Sequence, residues 1–171
     1  MKKLLVFLTI FSLLLAVAGC SSTKDKETKT DTDQKETKEL TDTVKSKMYN
    51  SVRVAELKVN EIFHKETAAD GTTPIINSSF SDENKAVEFL SKYYSEDVAK
   101  SIYTHYATDK KTPEGQLIVN AEPYFTPSFL DTTQDDVTIE GDNNKATINT
   151  AENKIYSIEL VDEQYIVTSV E

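Results

Sequence analysis

Apolar side chains follow three rhythms along this chain. From Leu4 to Ala18 they form a run broken only by Thr9 and Ser12. Between Leu40 and Tyr106 they recur at steps of three and four, and from Val137 onward they alternate with polar residues. Ser21 to Glu39, reading SSTKDKETKTDTDQKETKE, contains no apolar group larger than the methyl of threonine.

Steps of three and four predict helices, because 3.6 residues per turn bring such positions onto one face. Leu40, Val44, Met48, Val52, Ala55, Val59, Ile62 and Phe63 form the stripe of a long first helix ending near Glu66, with Val54 and Leu57 widening it. Ala68 to Pro74, rich in breakers, follows as a loop. Ser81 or Asp82 is a good N-cap for a second helix carrying Ala86, Val87, Phe89, Leu90, Tyr93 and Tyr94. Ser95-Glu96-Asp97 repeats the start signal, so Ser95 reads as a cap between two short helices, the third running to about Tyr106. From Thr108 to Asp135 the periodicity is lost except at Gln116–Val119, although Tyr124, Phe125, Phe129 and Leu130 give this loop an apolar centre. Such a loop is expected to pack down as a lid on the core; the alternative is a partner-binding patch.

Alternation predicts strands. Val137 and Ile139, then Ala146 and Ile148, then Tyr156, Ile158 and Leu160, then Ile166, Thr168 and Val170 mark four, separated by turns at Gly141–Asn144, Ala151–Asn153 and Asp162-Glu163. The expected fold class is α+β: three N-terminal helices, the first long, followed by a C-terminal antiparallel β-meander of about four strands. Both an NTF2-like and a cystatin-like half-cone fit this pattern.

The N-terminal run changes the picture of what surrounds the domain. Fifteen residues of helix rise about 22 Å, short of a hydrocarbon core of about 30 Å. With Met1-Lys2-Lys3 ahead of it, the run fits the h-region of a secretory signal. Val17-Ala18-Gly19-Cys20 then resembles the lipobox of bacterial lipoproteins. The resemblance implies a signal peptide over 1–19, diacylglycerol on the Cys20 thiol, and Cys20 as the new N-terminus on the extracytoplasmic face of a cell membrane. The expected organisation is therefore lipidated Cys20 and a solvated tether over 20–39, then one globular domain over 40–171.

Cys20 is the sole cysteine, so no intramolecular disulfide and no cysteine metal site are expected. The chain carries 19 Lys+Arg and 29 Asp+Glu; without Lys2, Lys3 and the five lysines and six acids of the tether, the domain keeps 12 bases and 23 acids, a net of −11. This disfavours nucleic acid and anionic headgroups and favours a basic protein partner.

Catalytic signatures are weak. His64 and His105 fall on different predicted helices and lack the spacing of a zinc hydrolase. Asp131, Asp135 and Asp136 have polar neighbours, which does not favour the raised pKa that acid catalysis needs. Asp142-Asn143-Asn144 lacks the remaining spacing and late Glu of a calcium loop and reads as a hairpin turn. Four scattered glycines form no phosphate cradle. No enzyme activity, cofactor or metal is expected.

The segments Asp82–Leu90, Tyr93–Lys100, Gly115–Leu117 and Tyr156–Val167 resemble the IseA-type inhibitors of D,L-endopeptidases over about residues 80–171. The resemblance implies binding to a cell-wall hydrolase and occlusion of its groove. It carries over no inhibitory residue, and those inhibitors are secreted without a lipid anchor. The candidate partner surface is the acidic meander with the aromatic loop: Tyr124, Phe125, Phe129, Asp131, Asp135 and Asp136. The rival reading is a small-ligand carrier with a cavity between helices and sheet lined by Tyr93, Tyr103 and Phe125.

Overall fold

A computed structural model describes residues 40–171. The signal segment, Cys20 and the tether expected within residues 1–39 lie outside the described residues.

Helix α1 spans Asp42–Phe63. The Thr41 side chain caps it by accepting the Val44 N–H at 3.3 Å, serving one amide of a first turn that has no intrahelical partner. Met48, Val52, Ala55, Val59, Ile62 and Phe63 are buried as the stripe requires, and Leu40 just ahead of the cap is buried with them. The helix stops at Phe63 rather than near Glu66. Val54 and Leu57 do not widen the buried face; they are 41% and 51% exposed. Tyr49 and Glu56 are buried instead. They stand three residues before and four after Val52, which is the same face of a helix.

A small sheet follows. Strands β1 (Glu66–Thr67) and β2 (Pro74–Ile75) pair antiparallel. The loop between them is closed by the Asp70 carboxylate, which accepts the Thr72 and Thr73 N–H groups and the Thr73 hydroxyl; these bonds hold its pKa down at about 2. Helix α2 (Glu83–Leu90) is capped by Asp82 and α3 (Glu96–Tyr106) by Ser95, as their sequences indicate. Strands β3 (Ala107–Lys111) and β4 (Leu117–Val119) then form a hairpin, and β4 joins β2 to give the order β1-β2-β4-β3. Apart from the apolar run at β4, this sheet stands where no regular element was expected. Its strands are two to five residues long, and β3 reads Ala-Thr-Asp-Lys-Lys, so neither length nor alternation marks them.

The meander consists of β5 (Val137–Gly141), β6 (Lys145–Thr150), β7 (Ile155–Val161) and β8 (Gln164–Val170), antiparallel in that order. Ala146, Ile148, Tyr156, Ile158, Tyr165 and Val167 line its buried face. Gly141 is required at the first turn: at φ +138° an added Cβ would lie 2.3 Å from the Lys145 carbonyl oxygen and 2.6 Å from the Ala146 Cα. The Asp142 carboxylate accepts the Asn144 and Lys145 N–H groups, which makes Asp142–Asn144 a turn.

Helix α1 packs on β8. The outer edge of β8 is covered by the junction of α2 and α3: Val167 N–H donates to the Tyr93 carbonyl at 2.9 Å, and Ser95 N–H donates to the Val167 carbonyl at 2.8 Å. Ser95 thus caps a helix and pairs an edge at once. Among the described residues the fold is α+β, with three α-helices and two antiparallel four-stranded sheets. Among the described residues no helix is long and apolar enough to cross a membrane.

Candidate functional site

Residues 123–141 run from the aromatic loop into β5 and contain all six residues expected to face a partner. The structure separates them into two groups.

The aromatic half is closed. Phe125 is 5% exposed and Phe129 1%; the Phe129 ring meets Tyr49 at 5.2 Å and Tyr156 at 5.0 Å between centroids. Both phenylalanines belong to the core, which corrects the expectation of a partner-facing patch at these two positions and leaves the loop as a lid. Burial stabilises each such ring by about 2 kcal/mol, and loop side chains take the nearest apolar surface. Tyr124 is half-buried: its N–H donates to the Tyr106 hydroxyl at 2.8 Å, and its own hydroxyl lies 3.1 Å from Ser101 Oγ.

The backbone of this lid is satisfied by α1. Glu56 is 5% exposed; Oε1 accepts the Ser128 hydroxyl at 2.5 Å and Oε2 accepts the Phe129 N–H at 2.9 Å. Burial pushes its carboxyl above the ordinary value, outweighing the pull of these hydrogen bonds, and the Asp131 charge adds to the rise. Arg53, the only arginine in the chain, donates from Nη1 to the Leu130 carbonyl at 3.0 Å and the Thr132 carbonyl at 3.1 Å. The Tyr49 hydroxyl donates to the same Thr132 carbonyl at 2.6 Å. Glu56, Arg53 and Tyr49 therefore form a clasp on residues 128–132. The sequence signal for Glu56 was its place within the apolar stripe, between Val52 and Val59.

The acidic half is open. Asp131, Asp135 and Asp136 are exposed. Asp136 accepts the Thr133 N–H at 2.7 Å and the Thr133 hydroxyl at 2.6 Å; these bonds keep its carboxyl below the ordinary value and close the 3₁₀ turn Gln134–Asp136. Asp131, Asp136 and Glu152 border a cavity of about 180 Å³ beside Pro127 and Thr150. Among the described residues no cluster of His, Asp or Glu is arranged to hold a metal. No Lys, Arg or His occurs between Thr112 and Asn144, while Glu114, Glu122, Asp131, Asp135, Asp136, Glu140 and Asp142 all do. Lys111 and Lys145 bound this stretch at either end.

Both histidines have structural partners. Tyr106 Oη accepts the Tyr124 N–H and shares a hydrogen bond of 2.9 Å with His64 Nε2; burial, with the His105 charge, lowers the His64 pKa. His105 Nε2 donates to the Glu122 carbonyl at 2.9 Å. Tyr93, Tyr103 and Phe125 have different neighbours. Tyr93 packs on Phe89, Tyr103 borders a pocket of about 460 Å³ beside Asp82 and Lys111, and Phe125 lies between Tyr94, Tyr124 and Tyr156. A shallow groove of about 560 Å³ lies between α1 and the β7–β8 hairpin, bordered by Val44, Lys47, Val54, Leu160 and Glu163. It is the side of α1 that the apolar pattern had assigned to the core.

Comparison with protein-family models, with curated proteins and with solved structures returns no match.

Proposed function

We propose that this chain is a membrane-anchored envelope lipoprotein that binds a basic protein partner and inhibits a peptidoglycan hydrolase without catalysing a reaction itself. The observation that carries the reading is the base-free stretch from Thr112 to Asn144, which presents Asp131, Asp135, Asp136 and Glu140 to solvent. An excess of exposed carboxylates, with Arg53 beside Asp131 and Lys145 beside Glu140 as the nearby bases, attracts a basic enzyme and speeds its encounter. The buried aromatic loop supports the same reading, because the only side chains this segment leaves to a rigid partner over 131–136 are polar. The anchor belongs to the proposal: lipid on Cys20 would hold the domain on the extracytoplasmic face, where cell-wall enzymes work. An NTF2-like or cystatin-like curl of the meander around α1 is compatible with it.

The test is hydrolysis of purified peptidoglycan by a D,L-endopeptidase with and without the full chain in nonionic detergent. Inhibition that weakens about tenfold or more when Asp131, Asp135 and Asp136 are all changed to Lys supports the reading. Unimpaired hydrolysis at any protein concentration removes the inhibitor role. For the anchor, Cys20→Ser should release the chain from membranes, and retention would contradict the lipid.

A further inference from the structure

We infer that the partner binds by adding an extended strand of alternating apolar and basic residues to the outer edge of β5. This deepens the proposed function and rests on its reading of the domain as a protein binder.

The two sheets have four edges. In the small sheet, β1 has two residues, and β3 has an irregular register and exposed Lys110 and Lys111. Short strands, bulges and lysines are the usual protections of an edge. In the meander, β8 is covered at Val167 by Tyr93 and Ser95. The fourth edge, β5, has none of these. Its five residues pair with β6 in unbroken register from Val137↔Thr150 to Gly141↔Ala146, and it contains no proline or lysine.

The direction of the backbone groups follows from the ladder. Asp142 N–H donates to the Lys145 carbonyl, and antiparallel pairs alternate between bonded and non-bonded. Glu140 and Thr138 therefore face β6, while the N–H and C=O groups of Val137, Ile139 and Gly141 face outward. Among the described residues no other segment hydrogen-bonds them. Five residues offer a template about 17 Å long.

Side chains on this edge specify the occupant. Val137 and Ile139 are half-buried on the core face, and Thr138 and Glu140 are exposed on the other. Asp131, Asp135 and Asp136 precede the strand, and no basic side chain precedes it nearer than Lys111. An added strand thus meets Val137 and Ile139 on one face and Thr138 and Glu140 on the other, where Lys145 beside Glu140 is engaged by Glu159, and period-two alternation of apolar and basic residues satisfies both.

The probe is a capped heptapeptide of alternating lysine and valine, added to the full chain in nonionic detergent and read by amide hydrogen exchange. The expected result is new protection at Ile139 and Gly141. Two versions of the peptide, methylated at every second backbone nitrogen in either phase, keep the charge; at least one should bind about tenfold more weakly or worse. A glutamate–valine peptide should not protect the edge. Protection elsewhere, or binding by both methylated forms as tight as by the unmethylated peptide, would reduce the interaction to surface charge and overturn the inference. The double variant Thr138→Lys with Glu140→Lys separates this inference from the broader reading. Hydrolase inhibition of unchanged potency in that variant overturns the edge and leaves the partner standing. Peptide bound at the edge without hydrolase inhibition does the reverse.

Discussion

The loop around Phe129 and the strand β5 are consecutive in the chain and nearly equal in apolar content, yet one is sealed and the other open. Phe129 is 1% exposed, whereas Val137 and Ile139 are half-buried. The difference lies in what α1 offers. Opposite residues 128–132 it presents a carboxylate, a guanidinium and a phenol, which satisfy two donors and two carbonyls of the loop. Opposite the outer edge of β5 no described residue supplies such groups. A loop is held down by partners for its backbone as much as by its greasy side chains.

Breaking the sealed half should give the largest effects. Phe129→Ala should lower stability by about 3–5 kcal/mol in urea unfolding, the usual range for truncating a buried ring. Glu56→Ala should cost about 2–4 kcal/mol, because it leaves the Ser128 hydroxyl and the Phe129 N–H without their acceptor.

Glu56→Gln sharpens the comparison through pH. The Glu56 carboxyl is raised above its ordinary 4.5, so the native state holds its proton more tightly than the unfolded chain. Its contribution is therefore most favourable below about pH 4.5 and declines as pH rises through the raised value. Asp136 and Asp82, whose carboxyls are lowered, act in the opposite sense and are present in both proteins. The stability of wild type minus that of Glu56→Gln should therefore fall from pH 4 to pH 8. A difference that rises would contradict a buried, proton-favouring Glu56.

Arg53→Lys should cost about 1 kcal/mol, since an ammonium reaches the Leu130 and Thr132 carbonyls less well than the planar fork. Glu140→Lys, on the open half, should change stability by less than about 0.5 kcal/mol while weakening binding of the lysine–valine peptide.

Much of this was legible in the sequence. Asp82 and Ser95 announced the starts of α2 and α3 because an N-cap needs a side-chain acceptor, and period-two alternation marked β5 to β8, although β8 buries Tyr165 and Val167 rather than Ile166 and Thr168. The lid reading followed from the apolar centre that Tyr124, Phe125, Phe129 and Leu130 give the loop. Three features were not legible. Glu56 stands inside the apolar stripe, but its partners are not legible, since Ser128 and Phe129 lie more than seventy residues away. The β1-β2-β4-β3 sheet is built from strands too short to show a period. Val54 and Leu57 carry the apolar signal of a core position, but Val54 borders the groove beside Leu160 and Leu57 is exposed, and a one-dimensional pattern does not say how wide a stripe the neighbouring elements cover.

The contrast between sealed loop and open strand is tested most directly by residue-resolved amide exchange of the full chain without any partner. The account expects the Phe129 amide, bonded to Glu56, to be protected, and Thr138 and Glu140 to be slower than the Ile139 amide between them. An Ile139 amide as slow as those of Thr138 and Glu140, or a Phe129 amide as fast as an exposed loop, would contradict it.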